Sequence, residues 1–230
     1  MTAPLISCER ATKTYGHGAN AAVAVSEATC AVYPGARVGI VGRSGSGKST
    51  LLHLMAGLEA PTGGTVSWPG LGRNPFQVPG LVGVVFQGPS LMDQLNAVEN
   101  VALPIILAGQ DDATAQVAAI AALRQLGLAD LANNLPDELS GGQAQRVAIA
   151  RVLALNPRVI LADEPTGQLD HAVATHVIDV LIAAADQARA ALVVTTHDRA
   201  VADRLGEKWS MSDGRLHSTS QQPAVVEGAL

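Results

Sequence analysis

Short apolar runs rich in Val and Ile alternate along this chain with longer Ala- and Leu-rich segments of helical length. Runs of the first kind suit strands buried on both faces, so the alternation predicts strands crossing to helices around a mostly parallel sheet, an α/β fold. The clearest strands are Arg37–Val41, Leu81–Phe86, Arg158–Ala162 and Leu192–Thr196, and each ends in a cluster of chemically capable residues. Ligands of open α/β sheets gather at the carboxyl ends of strands, so the four ends are expected to meet. Between them, Asp112–Gly127 reads as a helix with a carboxylate start, a glycine stop and an apolar stripe of Val117, Ile120, Ala121 and Leu123. A second helix is predicted over Gly141–Asn156, capped by Ser140 and stopped by Pro157. Residues 1–217 therefore read as one domain with a helical insertion at about 89–156. The segment 218–230 has neither helix stop nor strand pattern and reads as a flexible tail.

At 230 residues, 48% hydrophobic and 15% charged, the chain can bury a sizeable core and is too apolar to be disordered. Its net charge of −5, from 15 Lys+Arg against 20 Asp+Glu, lacks the basic footprint of a nucleic-acid binder. Small polyanions remain possible partners. Cys8 and Cys30 are too few for a disulfide framework or a metal cluster and read as idle or buried thiols of a reducing compartment. No basic stretch and apolar run precede Glu9 and Arg10 in the manner of a signal peptide. The longest uncharged stretch, Asn74–Met92, is broken by Pro75, Gly80, Gly83 and Pro89, which no spanning helix would carry. Membrane spans, if the function needs them, are expected from another chain.

Gly42-Arg43-Ser44-Gly45-Ser46-Gly47-Lys48-Ser49 fits the pattern G-x-x-x-x-G-K-[ST], follows the strand RVGIV and opens the helical run Ser49–Leu58. Glycines let backbone N–H groups close around phosphate oxygens, and the helix that follows aims its positive end at them. Lys48 adds a point charge at the outer phosphates, and the Ser49 hydroxyl can coordinate Mg²⁺. A glycine turn with a solvated lysine is the plainer reading, but chance produces this pattern in a chain of this length only about 1% of the time. The run Val159-Ile160-Leu161-Ala162-Asp163-Glu164 then delivers two adjacent carboxylates at a strand end. Pleating points neighbours to opposite faces, so Asp163 suits the magnesium-linked carboxylate and Glu164 the base that faces the attacking water.

Leu139-Ser140-Gly141-Gly142-Gln143 resembles the signature motif of ABC-type ATPases, and the resemblance extends over nearly the whole length from Leu5 to His217. It implies a P-loop core with an N-terminal antiparallel β portion and an inserted helical subdomain. Further residues take on implied roles. Gln87 matches the Q-loop glutamine that senses magnesium, His197 the switch histidine at the γ-phosphate, and Tyr15 the aromatic that stacks on adenine. Thr50, next to Ser49, joins the nucleotide set, and Asp170 in Gly167-Gln168-Leu169-Asp170 matches the loop through which two ATPase domains touch. The runs Glu99–Pro104 and Glu164–Asp170 look like the branch that partners lipoprotein-release, macrolide-efflux and cell-division permeases, although Gln168 stands where that branch commonly has asparagine.

What the resemblance implies is an ATPase that uses ATP and Mg²⁺, pairs head to tail with a second copy and drives a separate transmembrane permease at the cytoplasmic face of the cell membrane. Ser140, Gly141, Gly142 and Gln143 of one copy would then close over the nucleotide held by the other, with Glu164, His197 and Lys48 as the catalytic groups and Ser49, Gln87 and Asp163 as the metal-binding ones. A soluble ABC-type ATPase of DNA repair or translation is the alternative. Such proteins bring coiled coils or paired ATPase domains, whereas this sequence has one P-loop, no heptads and an acidic balance. A P-loop kinase would leave the pentapeptide unexplained.

Overall fold

The computed structural model describes residues 2–78, 80–167 and 169–218. Two sheets organise it. The smaller is antiparallel, with β1 (Ile6–Tyr15) between β2 (Ala22–Val32) and β4 (Gly63–Ser67). In it Cys8 and Cys30 face each other directly across β1 and β2, both buried and unbridged.

The larger sheet runs β5 (Val82–Val85), β6 (Val159–Asp163), β7 (Ala191–Thr196), β3 (Arg37–Val41), β8 (Glu207–Ser212), β9 (Arg215–Ser218). Its first five strands are parallel, and β9 closes the edge as an antiparallel hairpin with β8. The four strands expected from the sequence are adjacent, and their carboxyl ends share one edge. Every residue of β6 and β7 is buried. Pleating sorts them: Val159 and Leu161 pack with Val38, Ile40, Leu51 and Trp209 toward the small sheet. Ile160 and Ala162 pack on the other face with Ile149, Val177, Ile178 and Leu181. Each such fully buried Val, Leu or Ile side chain contributes roughly 1.5–3 kcal/mol.

Helix α1 (Lys48–Met55) follows the P-loop, and α2 (Ala97–Leu107), α3 (Asp112–Gln125) and α4 (Gly141–Leu153) lie in sequence between β5 and β6. Helices α5 (His171–Gln187) and α6 (Arg199–Asp203) complete the set among the described residues. Helix α3 corrects the sequence reading of its face. Asp111, one residue earlier than expected, caps it by accepting from the Thr114 N–H. The buried residues are Ala115, Ala119, Ala122 and Leu123, whereas Val117 and Ile120 are exposed. In an alanine-rich helix hydrophobicity scarcely differs between faces, and the side chosen for packing is the one whose small side chains let α2 and α4 approach closely. The chain reaches Ser218 as the last residue of β9, and 219–230, the rest of the segment expected to be a tail, lies outside the described residues.

Candidate functional site

The loop from β3 to α1 is held open by its glycines and supported from behind by the β8–β9 hairpin. Gly45 and Gly47 adopt φ of +78° and +99°, a left-handed region costly for side-chain-bearing residues. A Cβ on Gly42 would collide with the Met211 carbonyl of β8 and come within 2.6 Å of Ser46 Oγ. The hairpin turn is tied to the loop by the Gly214 N–H, which donates to the Ser46 carbonyl at 3.1 Å. Lys48 is only 4% exposed, and its Nζ donates to the carbonyls of Gly42 (2.9 Å) and Arg43 (3.1 Å). Ser46 is buried with no hydrogen-bond partner for its Oγ among the described residues, while Arg43, Ser44 and Gly45 are exposed along the loop.

Asp163 and Glu164 do have different surroundings, but a turn rather than the pleat separates them. Strand β6 ends at Asp163, which is buried and accepts a 2.5 Å hydrogen bond from the Thr195 hydroxyl. Glu164 takes a left-handed φ of +42°. Its N–H is held by the Thr195 carbonyl (3.1 Å) and hydroxyl (3.0 Å). That turn carries the Glu164 carboxylate between the Lys48 ammonium and the His197 ring: Oε1 is 3.3 Å from Lys48 Nζ, and Oε2 is 3.0 Å from Nδ1 of the exposed His197. One cavity of about 190 Å³ is lined by Ser44, Gly45, Gly47, Lys48, Ser49, Thr50, Gln87 and Glu164, together with Ala24. Residues read from three separate stretches of sequence thus share one enclosure.

Gln87 reaches it from the end of β5. The peptide just before it is fixed by Gln145 of α4, whose buried Nε2 donates to the Phe86 carbonyl at 3.0 Å. Tyr15 stands outside this cavity at the end of β1, half-exposed, with its hydroxyl donating to both carboxylate oxygens of Glu59 at 2.8 and 2.7 Å. Burial and that bond push the Tyr15 phenol up, with Thr50 and Lys13 opposing. Burial alone would raise the Glu59 carboxyl, but Tyr15, Lys13 and His53 together hold it below the usual carboxylate range.

The signature segment lies elsewhere. Ser140 Oγ accepts from the Gln143 N–H (3.3 Å) and Gln143 Oε1 from the Ser140 N–H (2.7 Å), a reciprocal cap that opens α4. None of Ser140, Gly141, Gly142 and Gln143 lines the P-loop cavity. A Cβ on Gly142 would come 3.0 Å from Leu169, so this helix start sits beside the loop that carries Asp170. Asp170 itself caps α5 by accepting from the Val173 N–H at 3.0 Å. Gln168 lies outside the described residues. Sequence reading missed Thr195, Gln145 and Glu59, since each acts through a partner distant in the chain. Only the alternation of polar Thr195 and Thr196 with a buried strand could have marked the first.

Fold and site together define a nucleoside-triphosphatase of the P-loop class. The family model described as ABC transporter matches residues 25–167, and the chain belongs to that family as an ATP-binding, ATP-hydrolysing cassette. It is 37% identical over 224 residues to the lipoprotein-releasing system ATP-binding protein LolD of Legionella pneumophila (strain Paris), covering 93% of this chain and 97% of that one. The LolD protein of Pseudoalteromonas translucida (strain TAC 125) is 39% identical over 220 residues, covering 92% and 94%. These relatives fall within the branch of lipoprotein-release, macrolide-efflux and cell-division systems that the motifs resemble. Among solved structures, the dimeric post-hydrolysis state of the ATP-binding cassette MJ0796 bound to ADP and Pi superposes with a TM-score of 0.86 at 33% identity, covering 94% of this chain and 99% of that one. The cbiO1 structure from Clostridium perfringens shares the fold, with a TM-score of 0.79 at 24% identity over 93% and 87%. No helix among the described residues is long and apolar enough to cross a membrane.

Proposed function

We propose that this cassette powers a separate transmembrane permease of the lipoprotein-releasing kind at the cytoplasmic face of the cell membrane, through ATP-driven closure of two copies. The observation that carries the reading is the single cavity in which Lys48, Gln87 and Glu164 converge. In this reading the Gly42–Thr50 backbone and Lys48 grip the outer phosphates, and the Tyr15 ring takes the base. Glu164 accepts the proton of the attacking water, with His197 holding its second oxygen and facing the γ-phosphate. Ser140 to Gln143 of a second copy supply helix N-terminal amides to the charge developing on the transferred phosphoryl group, and Asp170 lies at the contact between copies.

The donor set fits Mg²⁺. The Ser49 hydroxyl, the Gln87 amide oxygen and the Asp163 carboxylate are hard oxygen donors, and no group of three His, Cys, Asp or Glu among the described residues could form a cage alone. Ser49, Gln87 and Asp163 would hold such an ion, and it would supply positive charge to the outer phosphates. Two copies pair in the MJ0796 structures, and the lipoprotein-releasing name of the LolD relatives supports the permease assignment. The test is to express the tagged chain in its own host and purify it from detergent extracts. A membrane-spanning protein that copurifies and stimulates ATP hydrolysis supports the reading, and a partner-free ATPase with unchanged turnover overturns it.

A further inference from the structure

The hydroxyl of Tyr15 is tethered with more care than a ring that merely stacks would require. Both oxygens of Glu59 accept from it, at 2.8 and 2.7 Å. Lys13 Nζ lies 3.0 Å from the same carboxylate and donates to the Ala60 carbonyl at 3.0 Å. The same ammonium stands over the Tyr15 ring, 5.3 Å from its centroid, so one face of the ring is covered by a cation. Glu59 sits on a rigid support. The turn after α1 folds back so that the Leu58 and Glu59 N–H groups both donate to the His53 carbonyl. Trp68 Nε1 donates to the Met55 carbonyl at 2.8 Å, and its indole packs where a side chain on Gly57 would stand. His53 adds a third contact to the carboxylate, with Nδ1 3.6 Å from Oε1.

We propose that Glu59 is the positioning residue of the base subsite: it fixes the plane of the Tyr15 ring through the hydroxyl and parks Lys13 on one face, leaving the opposite face as the platform for a purine. The inference rests on the reading of Tyr15 as the base-stacking residue. A ring held at its far end loses little freedom when a base settles on it, so the tether acts on base affinity and leaves the phosphate chemistry alone.

The experiment compares Glu59→Gln, Tyr15→Phe, their double variant and Tyr15→Ala in the full chain. It reads KM and kcat for ATP, and the inhibition constant of inorganic tripolyphosphate, which has no base. Glu59→Gln and Tyr15→Phe are each expected to raise KM about three- to tenfold with kcat within about twofold, as loss of one charge-assisted hydrogen bond implies. The double variant is expected to be no worse than either single one, because both remove one interaction. The tripolyphosphate constant is expected to stay the same throughout. A KM unchanged in Glu59→Gln while Tyr15→Ala raises it overturns the positioning role alone. A KM unchanged in Tyr15→Ala removes the base reading itself, and tripolyphosphate binding weakened in step with ATP assigns Glu59 to general stability instead.

Discussion

Lys48 Nζ and Glu164 Oε1 lie 3.3 Å apart, so the lysine of the P-loop and the carboxylate just past the end of β6 form one ion pair at the P-loop cavity. The two groups proposed to meet opposite ends of the reaction, phosphate and water, neutralise each other, and in that proposal a γ-phosphate entering the cavity competes with Glu164 for the same ammonium.

Replacing that carboxylate separates binding from turnover. Glu164→Gln removes the counter-ion of Lys48 and the proposed proton acceptor together. ATP affinity is expected to hold or increase, while single-turnover hydrolysis falls about a hundredfold or more. Dimers are expected to accumulate with ATP in size-exclusion chromatography. Wild-type hydrolysis in this variant would remove Glu164 from its assigned role.

Lys48→Ala takes the other partner away. The triphosphate then loses its nearest cation and Glu164 is left opposite only His197, so equilibrium dialysis is expected to show ATP binding lost. Retained affinity would contradict the assignment of the phosphate site.

Thr195 serves both acidic residues, donating its hydroxyl to the Asp163 carboxylate and accepting from the Glu164 backbone N–H. Thr195→Val keeps the shape and strips both bonds. We expect a loss of about 1–3 kcal/mol in denaturant unfolding. Because the left-handed turn at Glu164 then keeps only its bond to the Thr195 carbonyl, turnover should fall more than ATP binding does.

Helix α3 offers a test of which face is buried. Ala119 is fully buried and Val117 is exposed. Ala119→Leu is expected to cost about 1–3 kcal/mol through overpacking. Val117→Ser should stay within about 0.5 kcal/mol of the parent chain. Equal effects would mean that α3 is turned the other way.

The Cys8 and Cys30 pair carries a pH dependence. The thiol-to-thiol hydrogen bond with Cys8, then burial, pushes Cys30 well above the ordinary thiol range. A raised folded value favours the neutral form, so its stabilising effect is complete below about pH 8.5 and is lost as the pH climbs toward the folded value. Native protein at pH 8.5 is therefore expected to resist iodoacetamide at Cys30, whereas the denatured chain reacts at both cysteines. Fast labelling of the native chain would contradict this burial.

Local chemistry made the first half of the site legible: strand Arg37–Val41, the glycine loop and the start of α1 are contiguous, and the structure gives the strand the bounds expected for it. The strand ends expected at Ala162 and Thr196 were legible for the same reason, as apolar runs stopped by polar residues, and the first falls one residue short of the observed Asp163. Less accessible was whatever depends on a partner far along the chain. The β8–β9 hairpin supports the P-loop through Gly214 and Met211, and no local pattern announces such support. The divergence of Asp163 and Glu164 follows from a left-handed residue held by Thr195, where alternation along a strand suggested pleating. On α3 Val117 and Ile120 misled, since three alanines and Leu123, the one larger residue read correctly, line its contact face.

Ser140 and Gln143 complete each other's hydrogen bonds within a single chain, so the surface proposed to meet a second copy is finished before any such encounter. Docking then requires translation and rotation of preshaped bodies, with no coil-to-helix step at the contact. Encounter rates should accordingly follow viscosity and ionic strength rather than the slower kinetics of segment ordering.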